Sequence, residues 1–427
     1  MRSRTKMIGV SLMAAVLLAV GFLGGVVVGQ REGITDLDII PVQPEQRLLP
    51  AQEPNLVRPN FFGQHLIDKE HWPTHPVGAL GKGTLINWPY VEPQRDSYNW
   101  SNLDSWVAQA ERHGVEMFYA NNYSPEWAVA DKSTCADRYG HTTCSGMPNL
   151  ADWEDFIRDL ATRYKGRIEV YELWNEPHAT YGFSGTVSQM VTLTNSEAQI
   201  IRSVDPKAKI ISPSGSAAYM DAYWAAGGTK DVDAVSLHAY VDSNHLHGPL
   251  PEGFMPENYL LGPTLDVISR YGLNDKPLWD TEGSWGSASL TEQDKADFVA
   301  RWYILHAANG FSRTYWYAYD NQTYGTLWSP ATGENAGADA YQGVRNWLLG
   351  ATVEPPDYQG TSTYDALYTV DMTRTDGSPA RAVWHTISSR TYSVPDTFKH
   401  YRDLDGTVHT IQDGTVSVGQ EPILLEP

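Results

Sequence analysis

Cysteine and positive charge are both scarce in this chain. Two cysteines among 427 residues exclude a disulfide-built scaffold and a four-thiolate zinc fold. The 31 Lys and Arg stand against 51 Asp and Glu, a formal net charge of −20. That balance leaves no basis for the cationic face that binds duplex nucleic acid or an anionic membrane surface. His-Glu-x-x-His is absent, and the pair His245-Leu246-His247 has no third ligand at metal spacing, so no metal and no cofactor is expected. No lysine stands at an expected strand end as a Schiff-base candidate, no Gly-rich phosphate loop follows the late strands, and no solenoid-period repeat occurs.

What is present is a globular composition, 41% hydrophobic and 19% charged, with 15 Trp and 24 Tyr. Such a chain buries a large core. Aromatics mostly fill cores, but their faces also stack on the C–H faces of sugars. At the start, Arg2, Arg4 and Lys6 precede an uncharged apolar run over residues 7–29. This is the order of an export signal, although the run is longer than the usual h-region of about 7 to 15 residues and lacks a clear A-x-A site. It reads as a signal peptide or an uncleaved N-terminal membrane anchor, giving an extracytoplasmic protein that touches membrane only through this segment if it stays uncleaved. An oxidising compartment allows Cys135 and Cys144 to pair across a short loop. Residues 30–57, rich in Pro, Gln and Glu, read as a linker.

From residue 58 short apolar runs alternate with helical patterns. Strands are expected near 61–66, 115–123, 167–174, 209–214, 232–240, 277–281 and 311–317, with a weaker second strand at 84–88. Leu103, Trp106, Val107 and Ala110 repeat at helical spacing before Gly114, and Thr291 with Asp294 forms a weak capping-box variant. Eight strand–helix units over 58–352 predict an α/β fold, a (β/α)8 TIM barrel. After Gly350 the pattern becomes alternating strands split by Asp-Gly turns, a small β-sandwich-like domain over 353–427.

Two segments carry chemistry: Tyr171-Glu172-Leu173-Trp174-Asn175-Glu176-Pro177 at the end of strand four, and Leu278-Trp279-Asp280-Thr281-Glu282-Gly283 at the end of strand seven. Three steps around an eight-strand ring set these ends opposite each other at the barrel mouth, where the active sites of this fold lie. Two carboxyl groups converging on one bond are what glycoside hydrolysis requires. One protonates the departing oxygen, and in a retaining enzyme the other attacks the anomeric carbon from about 5 to 5.5 Å away. Glu172 and Asp280 compete for these roles but read better as buried, hydrogen-bonded barrel residues.

The chain resembles the clan of (β/α)8 glycoside hydrolases that includes families 5 and 39, and the likeness runs through nearly the whole barrel. It is carried by Trp88-Pro89-Tyr90-Val91-Glu92-Pro93, Tyr98-Asn99-Trp100, Ser124-Pro125-Glu126-Trp127, Arg163-Tyr164-Lys165-Gly166, His238-Ala239-Tyr240, Thr281-Glu282-Gly283 and Tyr315-Trp316-Tyr317. The resemblance implies Glu176 as acid/base and Glu282 as nucleophile. It also implies that Asn175 meets the sugar 2-hydroxyl, that His238 and Tyr240 position the nucleophile's surroundings, and that Trp316 floors the subsite of the reacting sugar. His65, closing strand one, is a further candidate for sugar contact, and Trp127, Trp285 and Trp328 follow strand ends. One departure stands out: clan members often carry an arginine near the end of strand two that supports the nucleophile, and Gly83-Thr84-Leu85-Ile86-Asn87-Trp88 has none. The expected partner is a polysaccharide or oligosaccharide. A carbohydrate-binding protein with weakened turnover and a cell-surface transglycosylase on the same fold remain alternatives.

Overall fold

The computed structural model describes residues 56–241 and 249–427. The segment read as an export signal or anchor, all but the last two residues of the stretch read as a linker, and the His245–His247 pair lie outside the described residues. Among the described residues no helix is long and apolar enough to cross a membrane.

Eight parallel strands form the barrel: β1 (Phe62–Gln64), β2 (Ala79–Leu80), β3 (Glu116–Ala120), β4 (Val170–Glu172), β5 (Lys209–Ile211), β6 (Val235–Tyr240), β7 (Leu278–Ser284) and β8 (Phe311–Trp316). Their hydrogen-bonded order is β5-β4-β3-β2-β1-β8-β7-β6. A parallel bridge between Ile211 and Ala234 joins the two ends. The inner side chains, among them Ala79, Phe118, Val170, Ile211, Trp279 and Tyr315, fill the barrel as a packed core, as a barrel of this size demands.

Seven helices surround the strands: α1 (Ser101–His113), α2 (Leu150–Arg163), α3 (Val187–Val204), α4 (Ala217–Ala225), α5 (Leu261–Arg270), α6 (Glu292–Ala308) and α7 (Ala336–Leu348). Local sequence sets their ends. Thr291 accepts from the Asp294 amide while the Asp294 side chain returns to the Thr291 amide, a complete capping box. Gly114, at φ 64°, closes α1 in the left-handed conformation.

Two details differ from the sequence expectation. The second strand is Ala79–Leu80, and residues 84–88 instead form a turn entering the short helix Trp88–Val91. The true strand is flanked by Gly78, Gly81 and Gly83, a composition more common in loops. These glycines are there because of close packing: a Cβ on Gly78 would lie 1.6 Å from the Pro59 carbonyl oxygen, and one on Gly81 would lie 2.5 Å from the His65 ring. The β1–β2 connection also contains no helix, since Pro73 and Pro76 remove amide donors and bias the preceding residues away from helix.

The C-terminal segment forms a seven-stranded antiparallel sheet, with a separate pair from Arg390–Ser393 and Thr415–Val418. The strand Asp365–Thr373 buries alternate residues, Ala366, Tyr368, Val370 and Met372. This face joins the same apolar core as the barrel helices, while Val383, Phe398, Val416 and Leu425 make a second small core on the other side.

Candidate active site

The two motif glutamates are aimed by different backbone devices. Beyond β4 the chain is held by Asn175 N–H donating to the Asn121 carbonyl at 2.8 Å and Glu176 N–H donating to Ser214 Oγ at 3.2 Å. Glu176 itself sits at φ 46°, in the left-handed region that costs a residue other than glycine about 1–3 kcal/mol and is concentrated at functional sites. On β7, Asp280 points outward to His306 of α6, Oδ2 to Nε2 2.9 Å. Glu282, two residues on, would face the same way in a regular strand. The pairing with β6 slips between Asp280 and Glu282, and this bulge turns Glu282 to the mouth.

There the two glutamates meet. A carboxylate oxygen of each and a ring nitrogen of His238 lie within 4.8 Å of one another. Tyr240 Oη donates to Glu282 Oε1 at 2.8 Å, and Lys82 Nζ donates to Glu282 Oε2 at 2.8 Å. Lys82 also donates to Asn175 Oδ1, which turns the Asn175 amide nitrogen, a donor group, away from the lysine. Glu176 is bracketed by His238, whose Nδ1 lies 2.9 Å from Oε1, and by the Tyr181 hydroxyl on Oε2.

The charges follow from this wiring. Burial pushes Glu176 up, but the hydrogen bond and charge of His238 outweigh it and hold the carboxyl below its ordinary range. Burial likewise opposes the Glu282 charge, and Lys82 and His238 overcome it, so this carboxyl too is held low. Lys82 is raised, because Glu282 and Glu172 outweigh its desolvation. His238, despite burial, is raised to about 9 by Glu282 and Glu176. At neutral pH the site thus holds two carboxylates neutralised by an ammonium and an imidazolium. Three ligand-type groups at this spacing suit a cation, and here the positive charge comes from Lys82 and His238.

The structure brings Glu176, Glu282, Asn175, His238 and Tyr240 together. His238 hydrogen-bonds Glu176 and lies within 4.8 Å of Glu282 as well, while Tyr240 and Lys82 hydrogen-bond Glu282. His65 has no exposed surface; its Nε2 lies 2.8 Å from the Thr281 carbonyl oxygen. Burial lowers it to about 4, so it is a neutral support behind β7 with no face for sugar. Trp316 is also wholly buried, its indole donating to the Gly325 carbonyl at 2.6 Å among Trp285, Phe298 and Trp302. Strand alternation explains this: Tyr315 points into the barrel and Trp316 to the helices. Tyr317 is the partly exposed aromatic, edge-on to His65 at 5.2 Å and within the field of both glutamates. Trp285 belongs to the same buried cluster, Trp127 packs edge-on to Trp88, and Trp328 stacks on His71. Asp280 and Glu172 are buried, Asp280 hydrogen-bonded to His306 and the Ala239 amide. Cys135 and Cys144 are disulfide-bonded.

Sequence reasoning missed Lys82, Tyr181 and Tyr317. Lys82 answers the absent arginine: with β2 placed at Ala79–Leu80, the cation beside the nucleophile follows two residues later. It is also a lysine at a strand end, contrary to expectation, but its protonated, ion-paired state is the opposite of what Schiff-base chemistry needs.

Fold and site together define a glycosidase built on a (β/α)8 barrel. Residues 85–297 match the family model "Glycosyl hydrolases family 39". Among solved structures it is similar to a family 39 glycoside hydrolase from Bacteroides cellulosilyticus WH2, at 18% identity and TM-score 0.67 over 89% of this chain and 83% of that one. It is similar also to a glucosidase from Croceicoccus marinus, at 15% identity and TM-score 0.58 over 89% and 99%. A family 51 arabinofuranosidase from Xanthomonas axonopodis pv. citri follows at 12% identity and TM-score 0.58 over 88% and 97%. A search of curated proteins finds no match.

Proposed function

We propose that the protein is a retaining glycosidase acting on β-linked oligosaccharide or polysaccharide, with Glu176 as acid/base and Glu282 as nucleophile. The observation that carries this reading is the approach of the two carboxyl groups and His238 within 4.8 Å. That spacing suits direct attack on the anomeric carbon and leaves no room for the water an inverting enzyme interposes at about 6.5–9.5 Å.

The side chains divide the work. In the free protein the proton for the leaving group rests on His238, one hydrogen bond from Glu176 Oε1. As Glu282, kept ionised by Lys82, attacks the anomeric carbon, its charge, the largest that raises His238, is lost, and the His238 proton passes through Glu176 to the departing glycosidic oxygen. Ester formation removes the Glu282 charge. Glu176, now a carboxylate, takes a proton from water, whose oxygen attacks the same carbon and releases Glu282, and that proton returns across the hydrogen bond to His238. Asn175, its amide oriented by Lys82, offers Nδ2–H to the sugar hydroxyl next to that carbon. The export-like N-terminal sequence and the Cys135–Cys144 bridge support an extracytoplasmic place of work.

The test is an assay of aryl β-glycosides and β-linked oligosaccharides, with the first-formed anomer followed by NMR. A β-anomer product is expected, and an α-anomer would refute the retaining mechanism. Azide separates the roles: with Glu282→Ala it should yield the α-glycosyl azide, and with Glu176→Ala the β-azide.

A further inference from the structure

The loop after β3 carries a feature the reaction does not use. Residues Cys135–Arg138 and His141–Cys144 form an antiparallel hairpin that pairs with Ser124–Pro125, so it rises from the mouth side of the barrel beside β4. Its turn is the two-residue link Tyr139–Gly140, both at positive φ, 54° and 76°. Such turns favour Asn-Gly or Asp-Gly, and a tyrosine in the first position is strained. Nothing packs on it in return: Tyr139 is 83% exposed, the most of any large apolar side chain among the described residues. A Cβ on Gly140 would meet nothing within 4 Å.

The hairpin is nevertheless tied down at its base and sides. The Cys135–Cys144 disulfide ties its base, the Arg138 guanidinium lies 4.9 Å above the Tyr123 ring, and His141 packs edge-on to Tyr90 at 5.1 Å. It is also close to the catalytic mouth. It pairs with Ser124–Pro125, just beyond the mouth end of β3 at Ala120, and Arg138, next to Tyr139, stacks on Tyr123 of that same link. A strained, exposed aromatic on a stapled support has a functional explanation and no packing one.

We propose that Tyr139 is a sugar-stacking platform, a subsite for a pyranose ring of the substrate chain one or more units away from the bond cleaved. The occupant is a neutral hexose or pentose ring, because ring stacking uses the apolar C–H face of the sugar. The inference rests on the glycosidase reading and adds that the substrate is a chain long enough to reach the hairpin.

The experiment compares the full protein with Tyr139→Asn, which removes the ring and suits the turn, and with Tyr139→Trp. Affinities for β-linked gluco-, xylo- and manno-oligosaccharides of one to five units are measured by calorimetry in a Glu176→Gln background. A step in affinity is expected at one chain length, lost by about tenfold in Tyr139→Asn, the equivalent of about 1.4 kcal/mol, and restored by Tyr139→Trp. The Cys135→Ser/Cys144→Ser pair should weaken the same step by loosening the support. No length dependence in the parent, or the same dependence in Tyr139→Asn, overturns the platform. Turnover of aryl glycosides by the unmodified protein tests the glycosidase reading separately.

Discussion

Lys82 Nζ lies 2.8 Å from Glu282 Oε2 while also holding the Asn175 side chain. One ammonium thus fixes the charge of the nucleophile and the orientation of the amide that meets the reacting sugar. Lys82→Met should lower kcat/KM by about 10²- to 10³-fold, the usual effect of removing a preorganised electrostatic partner. Its acid limb should also move to higher pH, because Glu282 loses the charge that holds its carboxyl down. Lys82→Arg should keep the limb in place. A Lys82→Met profile with an unmoved acid limb would contradict this role.

The coupling of His238 to Glu176 sets the alkaline side. His238 is charged below about 9 and neutral above it, so the proton for the leaving group is present across neutral pH and is lost as pH rises through that value. In a pH profile of kcat/KM, which reports groups of the free enzyme, the alkaline limb should fall near 9. With His238→Gln the limb should move to lower pH, because Glu176 must then carry the proton alone.

Strand two can be checked through stability. Gly81→Ala would place a methyl 2.5 Å from the ring of His65, a wholly buried side chain already bonded to the Thr281 carbonyl. Overpacking at such a site costs about 1–3 kcal/mol, and thermal unfolding should show a drop of several degrees. An unchanged melting temperature would contradict this placement of β2.

A buried ion pair ties barrel to sheet. Arg301 of α6 meets Glu252 at 3.2 Å, and the Trp384 indole donates to the same carboxylate at 2.7 Å. Neither charged side chain is appreciably exposed, 3% and 0%. Glu252→Ala would leave the Arg301 charge unpaired in the core, with an expected loss of about 3–5 kcal/mol, read by denaturant unfolding.

Much of this was legible in the residues, for reasons that also explain the rest. Seven strands announced themselves as apolar runs, and Glu176 and Glu282 stood in motifs whose spacing along the chain implies opposite positions on a closed ring. Ala79–Leu80 did not, because glycines forced by the close approach of Pro59 and His65 imitate a loop, and Lys82 was hidden with it. Trp316 was misassigned by one residue. In a strand that small shift exchanges the mouth for the helix layer, and the sequence Tyr315-Trp316-Tyr317 offers an aromatic at either parity. The aim of Glu282 was invisible as well, since it depends on a slip in pairing between neighbouring strands.

The shared apolar core beneath the C-terminal sheet bears on how such a chain can diversify. Ala366, Tyr368, Val370, Met372 and Trp384 lie in the same cluster as the side chains of α6 and α7. A recombination event or a truncation at residue 353 would strip water-excluding cover from the barrel itself. Barrel and sheet therefore exclude water as one folding unit, and the loop after β6, through Glu252 and Asn258, is itself held by the sheet.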